Sequence, residues 1–509
     1  MSSDPSTMEK GYVAADSKAE PDGSSIDNNH DTSQGQVASV GGWKRVLHKA
    51  ARLGRVELRG IQPIPVEERT DTQFANVFTI WWCMNANLLP ITFGMLGPIY
   101  GLGLRDCSLV IIFFTLLTTF LPAYLSTMGP KTGMRQMIQA RFSWGRYLVA
   151  VPVIFNLATL TGFCVIMAVI GGQCLSAVAD GDLSPTVGIV IVSLLSLVIS
   201  FSGFKVLHIY ERWAWIPALI AIIIATGTGG KHLHEQVPPL GPATAPSILS
   251  FGMIVASYMI PWACLASDFT TYLTPTVSSK RIFIYAYTGL AVPTILLMIL
   301  GAAIAGAVAN VPAWSEGYEA NLVGGALAGM LKPAGGFGKF VVVVLSFTLL
   351  GNMAATSYSI TLNFQLLIPQ LIKVPRYVFA ILVTIVIIPV SIRAATDFFA
   401  SLENFIALIG YWASAFLGIV VVEHLWFRKA DCSSYSFEAW NDAKQLPLGV
   451  AALAACVLSF GLVVPSMSQV WFTGPIAEKT GDIGFELAFF VSGLLYVPLR
   501  MLEKKLSGR

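Results

Sequence analysis

Polar side chains stranded inside long apolar runs are the residues of this chain best placed to do chemistry. The stretch WWCMNANLLPITFGMLGP (81–98) holds Asn85, Asn87, Pro90 and Gly94, with Pro98 a turn beyond. The stretch SYMIPWACLASDFTTYL (257–273) sets Pro261 beside Trp262 and carries Asp268 further on. A third, GNMAATSYSITLNFQ (351–365), contains Asn352, Thr356, Ser357, Tyr358 and Asn363; a fourth, FFASLENFIALIGYW (398–412), contains Glu403 and Asn404. No metal-ligand set, Ser-His-Asp arrangement or phosphate loop accompanies them, and the six histidines lie in tails, loops or near the ends of apolar runs. Neither an enzyme nor a metal or cofactor site is expected. A small ligand would instead meet amides, an indole face and backbone dipoles. That lining suits a flat, neutral nitrogen heterocycle, stacked on Trp262 and read along its edge by Asn side chains. Amino acids would want charged partners at both ends, and sugars many more hydrogen-bonding groups.

The elements that position these residues must be membrane helices. The chain has 509 residues, 55% hydrophobic and only 12% charged, about half the charge of a soluble domain. Its mean hydropathy is +0.68. Net charge is +3, from 32 basic and 29 acidic residues, so no basic field points to nucleic acid. The seven cysteines are scattered without a CxxC pair, which indicates neither disulfides nor zinc. The start, MSSDPSTMEK, carries no signal-peptide pattern. Apolar runs predict spans at 76–104, 107–128, 147–177, 185–203, 213–229, 246–271, 282–309, 340–364, 377–394, 398–424, 447–467 and 484–500.

Prolines and amides near the middle of the first and sixth spans predict helix breaks at Pro90, Gly94 and Pro261. In lipid, freed backbone groups survive only where protein or a cavity satisfies them. Breaks in the first and sixth spans fit an inverted repeat of five helices whose leading helices frame a substrate. Ordinary proline kinks are the bland alternative. With the N-terminus inside, only Arg105, Lys231, Lys332, Lys339, Arg393 and Lys479 of the 32 Lys and Arg residues fall on outward segments, so both termini are expected in the cytoplasm. Residues 1–40 read as a disordered tail and 41–75 as a basic juxtamembrane segment, either lying on the inner leaflet or tethered in solvent. The transporter domain is 76–502, with 503–509 a second cytoplasmic tail. The loop 314–338 is long enough for a short outer helix or gate. Gly97 and Gly101 form a lone GxxxG that marks close internal packing. Oligomeric state is left open.

At these residues the sequence resembles the fungal purine–cytosine permeases of the nucleobase–cation symporter family one. The resemblance runs through VELRGIQPIPVEERTDTQFANVFTIWWCMNANLLPITFGMLGP (56–98), GPKTGMRQMIQARFSWGRY (129–147) and PWACLASDFTTYL (261–273). It implies an all-α fold of twelve helices, two inverted five-helix repeats plus two more, and plasma-membrane uptake of cytosine, adenine, guanine or hypoxanthine with protons. By the same resemblance Trp262 stacks the base, and Asn352 and Asn85 are polar contacts. The family's Trp and Asn in the third helix are Phe163 and Met167 here, within GFCVIMAVIGGQ, and its second Asn and Pro after Asn352 are Met353 and Ala355. Those departures open the alternative of pyridoxine or another vitamin-like heterocycle. One of two hydroxyls found in sodium-driven relatives is replaced, the positions reading Ser346 and Phe347, which favours proton coupling through Asp268 or Glu403. Asp268 alternatively caps a helix or pairs with a loop cation. A receptor or channel on the same scaffold is the reading from another class.

Overall fold

Nearly all backbone polarity in the apolar runs is spent inside helices. A computed structural model describes residues 60–509 apart from 202–212, 240, 369, 372–373 and 375. The tail 1–40, and the basic segment as far as residue 59, lie outside the described residues. The principal helices are α1 (Ala75–Asn85), α2 (Leu88–Gly94), α3 (Leu104–Ser126), α4 (Ala150–Val178), α5 (Pro185–Phe201), α6 (Trp215–Gly229) and α7 (Ala245–Met259). They continue with α8 (Ser279–Ala307), α9 (Pro312–Leu331), α10 (Gly335–Leu367), α11 (Arg376–Ala394), α12 (Phe398–Val422), α13 (Val450–Val463) and α14 (Gly484–Ser507). A small antiparallel pair, Ser468–Gln469 with Phe472–Thr473, lies between α13 and α14. Among the described residues, seven helical stretches are long and apolar enough to cross a membrane, Leu104–Thr132 and Ala150–Val178 included.

Most boundaries fall within a few residues of the apolar runs, but α10 begins at Gly335 and reaches Leu367, beyond the expected 340–364. The long loop anticipated at 314–338 is occupied by α9, kinked at Asn321 and Leu322, the latter at φ 45°.

The first break departs from the expected position. α1 ends at Asn85, and the chain turns through Ala86 and Asn87, three residues before Pro90. Asn87 adopts extended backbone and its side-chain oxygen accepts from the Leu89 amide at 2.9 Å, capping α2. Pro90 therefore sits in the first turn of α2, where no backbone donor is needed. Gly94 closes α2 rather than breaking it. The second break lies where expected: α7 stops at Met259, and a 3-10 turn Ile260–Cys264 containing Pro261 follows.

Two glycines let α2, the second half of the broken first segment, lie on α8. A Cβ on Gly94 would stand 1.9 Å from the Met298 carbonyl oxygen, and one on Gly301 would stand 2.0 Å from that of Ile91. Gly97 likewise packs inward, against Cys107 and Phe251. Elsewhere α10 packs along α4, and α12 and α13 along α14.

Candidate functional site

Three of the four polar stretches singled out in the sequence converge at the break between α1 and α2. Met84, at the end of α1, has its carbonyl freed by the turn. Two side-chain amides claim it: Asn87 Nδ2 at 2.8 Å and Asn352 Nδ2, from the middle of α10, also at 2.8 Å. Thr356, one turn further along α10, donates its hydroxyl to Asn352 Oδ1 at 3.2 Å. Asn85 donates to the Trp81 carbonyl at 3.0 Å and accepts from the Tyr258 hydroxyl at 2.9 Å and from Thr294 at 3.4 Å. The Met84 carbonyl left dangling by the break is thus satisfied by Asn87 and by a side chain from α10, as a non-aqueous interior requires.

An aromatic wall stands beside this knot. Phe163 on α4 and Trp262 in the second break lie nearly parallel, with ring centroids 6.3 Å apart and 18° between planes. Trp81 meets Trp262 edge-on at 5.8 Å, and Phe163 meets Tyr258 and Phe405 edge-on at 6.4 and 5.7 Å. Trp262 is 6% exposed. Its indole Nε1 is buried and finds no hydrogen-bond partner among the described residues. Met167, one turn along α4 from Phe163, is fully buried.

The structure brings Asn85, Phe163, Trp262, Asn352 and Thr356 together and sets Asp268 and Glu403 apart at opposite ends. Asp268 accepts from the Gln136 amide at 2.8 Å, capping the turn Gln136–Gln139. Beside it, Arg135 reaches the Asp268 carbonyl at 3.3 Å, the Gly60 carbonyl at 2.8 Å and the Tyr358 hydroxyl at 2.9 Å. At the same end Asp71 bridges to the strand-like turn at Tyr272–Thr274. Arg69 spans from Ile64 to Pro130 and Lys131, and burial pulls its guanidinium below the ordinary arginine value. At the far end, Glu403 accepts a 2.6 Å hydrogen bond from Tyr100, tying the end of the first segment to α12.

Tyr258, Thr294 and Trp81 were not singled out in the sequence. Tyr258 sits four residues before Trp262, and Thr294 directly follows the mid-helix Pro293, so spacing from the breaks was the available signal.

Two interrupted helices with polar and aromatic groups gathered where they break suit a membrane permease. The family model described as "Permease for cytosine/purines, uracil, thiamine, allantoin" matches residues 63–487, and the chain belongs to that family. It is 34% identical to the purine-cytosine permease fcyB of Emericella nidulans, over 96% of this chain and 97% of that one. It is 32% identical to the purine-cytosine permease FCY2 of Saccharomyces cerevisiae, over 91% and 89%. It is 28% identical to the vitamin B6 transporter TPN1 of the same yeast, over 92% of each. Among solved structures, Mhp1, a nucleobase-cation-symport-1 family transporter in a closed conformation with bromovinylhydantoin bound, superposes with a TM-score of 0.65. That match has 16% identity and covers 88% of this chain and 96% of Mhp1.

Proposed function

We propose that the chain imports nucleobases, among them cytosine, adenine, guanine and hypoxanthine, by proton symport through alternating access. The observation that carries this reading is the parallel pair Phe163 and Trp262 beside the amides of Asn85 and Asn352. A flat ring held between two aromatic faces needs about 7 Å, twice a carbon contact distance of about 3.5 Å. The 6.3 Å between centroids is slightly short of that, so a base would part the two rings as it enters. Met167 and Thr356 complete the proposed lining. The likeness to the purine-cytosine permeases supports the substrate class.

In this reading the helices form two inverted five-helix repeats plus two more, twelve in all, in the plasma membrane with both termini in the cytoplasm. The sidedness rests on where lysine and arginine fall. The Arg135–Asp268 end then faces the cytoplasm and the Tyr100–Glu403 end the outside. Asp268, held by the Gln136 backbone amide, and Glu403, held by the Tyr100 hydroxyl, are the two candidate proton-linked groups, one at each end. A second reading, pyridoxine uptake, is favoured by Phe163 and Met167 and by the likeness to a vitamin B6 transporter.

The test is uptake of radiolabelled cytosine, adenine and pyridoxine into cells lacking their own permeases, with and without a proton gradient. Accumulation of a nucleobase against its gradient, lost when the proton gradient is collapsed, is expected. Passive equilibration would indicate a channel, binding without flux a receptor, and accumulation of pyridoxine alone the second reading.

A further inference from the structure

Each hydrogen-bonding atom near the aromatic pair can be assigned as spent or unspent. A backbone carbonyl only accepts, so the Asn85 nitrogen must face Trp81. The orientation of that amide follows, and the Tyr258 hydroxyl must donate to Asn85 Oδ1. With Thr294 approaching the same oxygen at 3.4 Å, both of its lone pairs are taken. What Asn85 has left is one N–H.

The same reasoning applies to its neighbours. Asn352 turns its nitrogen to the Met84 carbonyl and its oxygen to Thr356, which leaves one N–H and one lone pair. Trp262 adds an indole N–H with no partner among the described residues. Among the amides and the indole, three N–H groups therefore remain against one lone pair, the other acceptors being the hydroxyl oxygens of Tyr258, Thr294 and Thr356. The group that tips the balance is the Tyr258 hydroxyl, because without it the Asn85 carbonyl would be free to accept.

We propose that Tyr258, assisted by Thr294, is a positioning residue for specificity: it occupies the Asn85 carbonyl so that the amide presents only N–H, and the site selects rings whose edge offers acceptors. This rests on the nucleobase reading above. The chemistry it selects is an unprotonated ring nitrogen flanked by a carbonyl or a second ring nitrogen, as at N3 and O2 of cytosine. Uracil, the same size but with N3–H between two carbonyls in place of that acceptor, would meet N–H with N–H when seated as cytosine is. A buried donor left facing a donor loses its hydrogen bond and its water together, which is why such mismatches discriminate strongly.

Tyr258→Phe removes the hydroxyl and keeps the ring against Phe93 and Phe163. In cells lacking their own nucleobase permeases, inhibition of labelled cytosine uptake by unlabelled cytosine and uracil gives the preference between them. The full-length wild type is expected to favour cytosine by tenfold or more, and Tyr258→Phe to narrow that preference about tenfold by gaining on uracil, as one neutral hydrogen bond allows. In an Asn85→Ala background the same change is expected to leave the ratio unaltered, since there is no carbonyl left to occupy. A merely structural tyrosine would lower uptake of both ligands together. An unchanged ratio in Tyr258→Phe delivered normally to the surface overturns the proposal. If transport by that variant is too slow to read, the melting shift of the purified full-length protein on adding cytosine or uracil reports the same ratio: a narrowed preference supports the proposal and an unchanged one overturns it. Wild-type protein that takes up no nucleobase at all would overturn the functional reading and this inference with it. Uptake with no cytosine preference would overturn the inference alone.

Discussion

At the residue scale the proposed function gives Asn352 two tasks, and its replacement tests both. Its amide holds the Met84 carbonyl at the break in the first segment, while its second N–H and a lone pair remain for a ligand. Asn352→Ala is expected to raise the apparent KM for the transported base roughly tenfold to a hundredfold, the cost of about 1–3 kcal/mol for unmade buried hydrogen bonds. Saturation kinetics would show it, and an unchanged KM would make Asn352 a packing residue. Trp262→Ala should abolish uptake while leaving surface delivery intact, which a fluorescent tag and a flux assay separate. Normal flux would end its stacking role. Polar and aromatic identity inside apolar runs made Asn85, Trp262 and Asn352 legible in the sequence. Tyr258 and Thr294 were harder to see, because a tyrosine or threonine in a membrane helix is ordinary until its partner is known.

Backbone contact governs the element scale. Gly94 and Gly301 let α2 and α8 touch carbonyl to Cα, an approach that any side chain would prevent. Gly301→Leu is expected to destabilise the protein by at least about 1–3 kcal/mol, the usual cost of overpacking. It should appear as a lowered melting temperature in detergent and reduced surface delivery. A wild-type melting curve would mean that the helices can separate freely. The position of the first break shows the limit of reading helices from prolines. Pro90 was a sound sign that a break was near, yet a proline is as comfortable in a first turn as at a kink. The chain instead turns at Ala86 and Asn87, where an asparagine can cap the new helix with its own oxygen. The hydropathy of single segments could locate α10 but not its ends, since the exposed Gly335 carries no apolar signal and Asn363 is tolerated where neighbouring helices bury it.

At the scale of the whole molecule, the two ends of the broken segments are fastened by different chemistry. One end is held by a cation, Arg135, reaching Gly60, Asp268 and Tyr358; the other by a tyrosine–carboxylate bond, Tyr100 to Glu403. Arg135→Ala is expected to loosen the first end alone. Cys264, buried just beyond Trp262, should then react faster with a membrane-permeant maleimide, by several-fold in mass-mapped labelling. Unaltered labelling would mean that Arg135 only braces its loop. A separate ionic cluster, Glu423 with Arg428 and Arg500 and with the Tyr496 hydroxyl, binds the end of α12 to α14. Composition and charge placement made the membrane setting legible, but these fastenings join residues far apart in the chain, and no local pattern announces them.

In the proposed transport cycle, the carbonyl of Met84 is where recognition and movement would be joined. It is the joint about which α1 and α2 are set, and it is gripped by the same amide that faces the proposed cargo. A molecule that engages Asn352 must therefore tug on the pivot itself. The distinction between sensing a passenger and starting to swing disappears at that one oxygen, and a close analogue that fits the rings but leaves the amide undisturbed should lodge there without being carried.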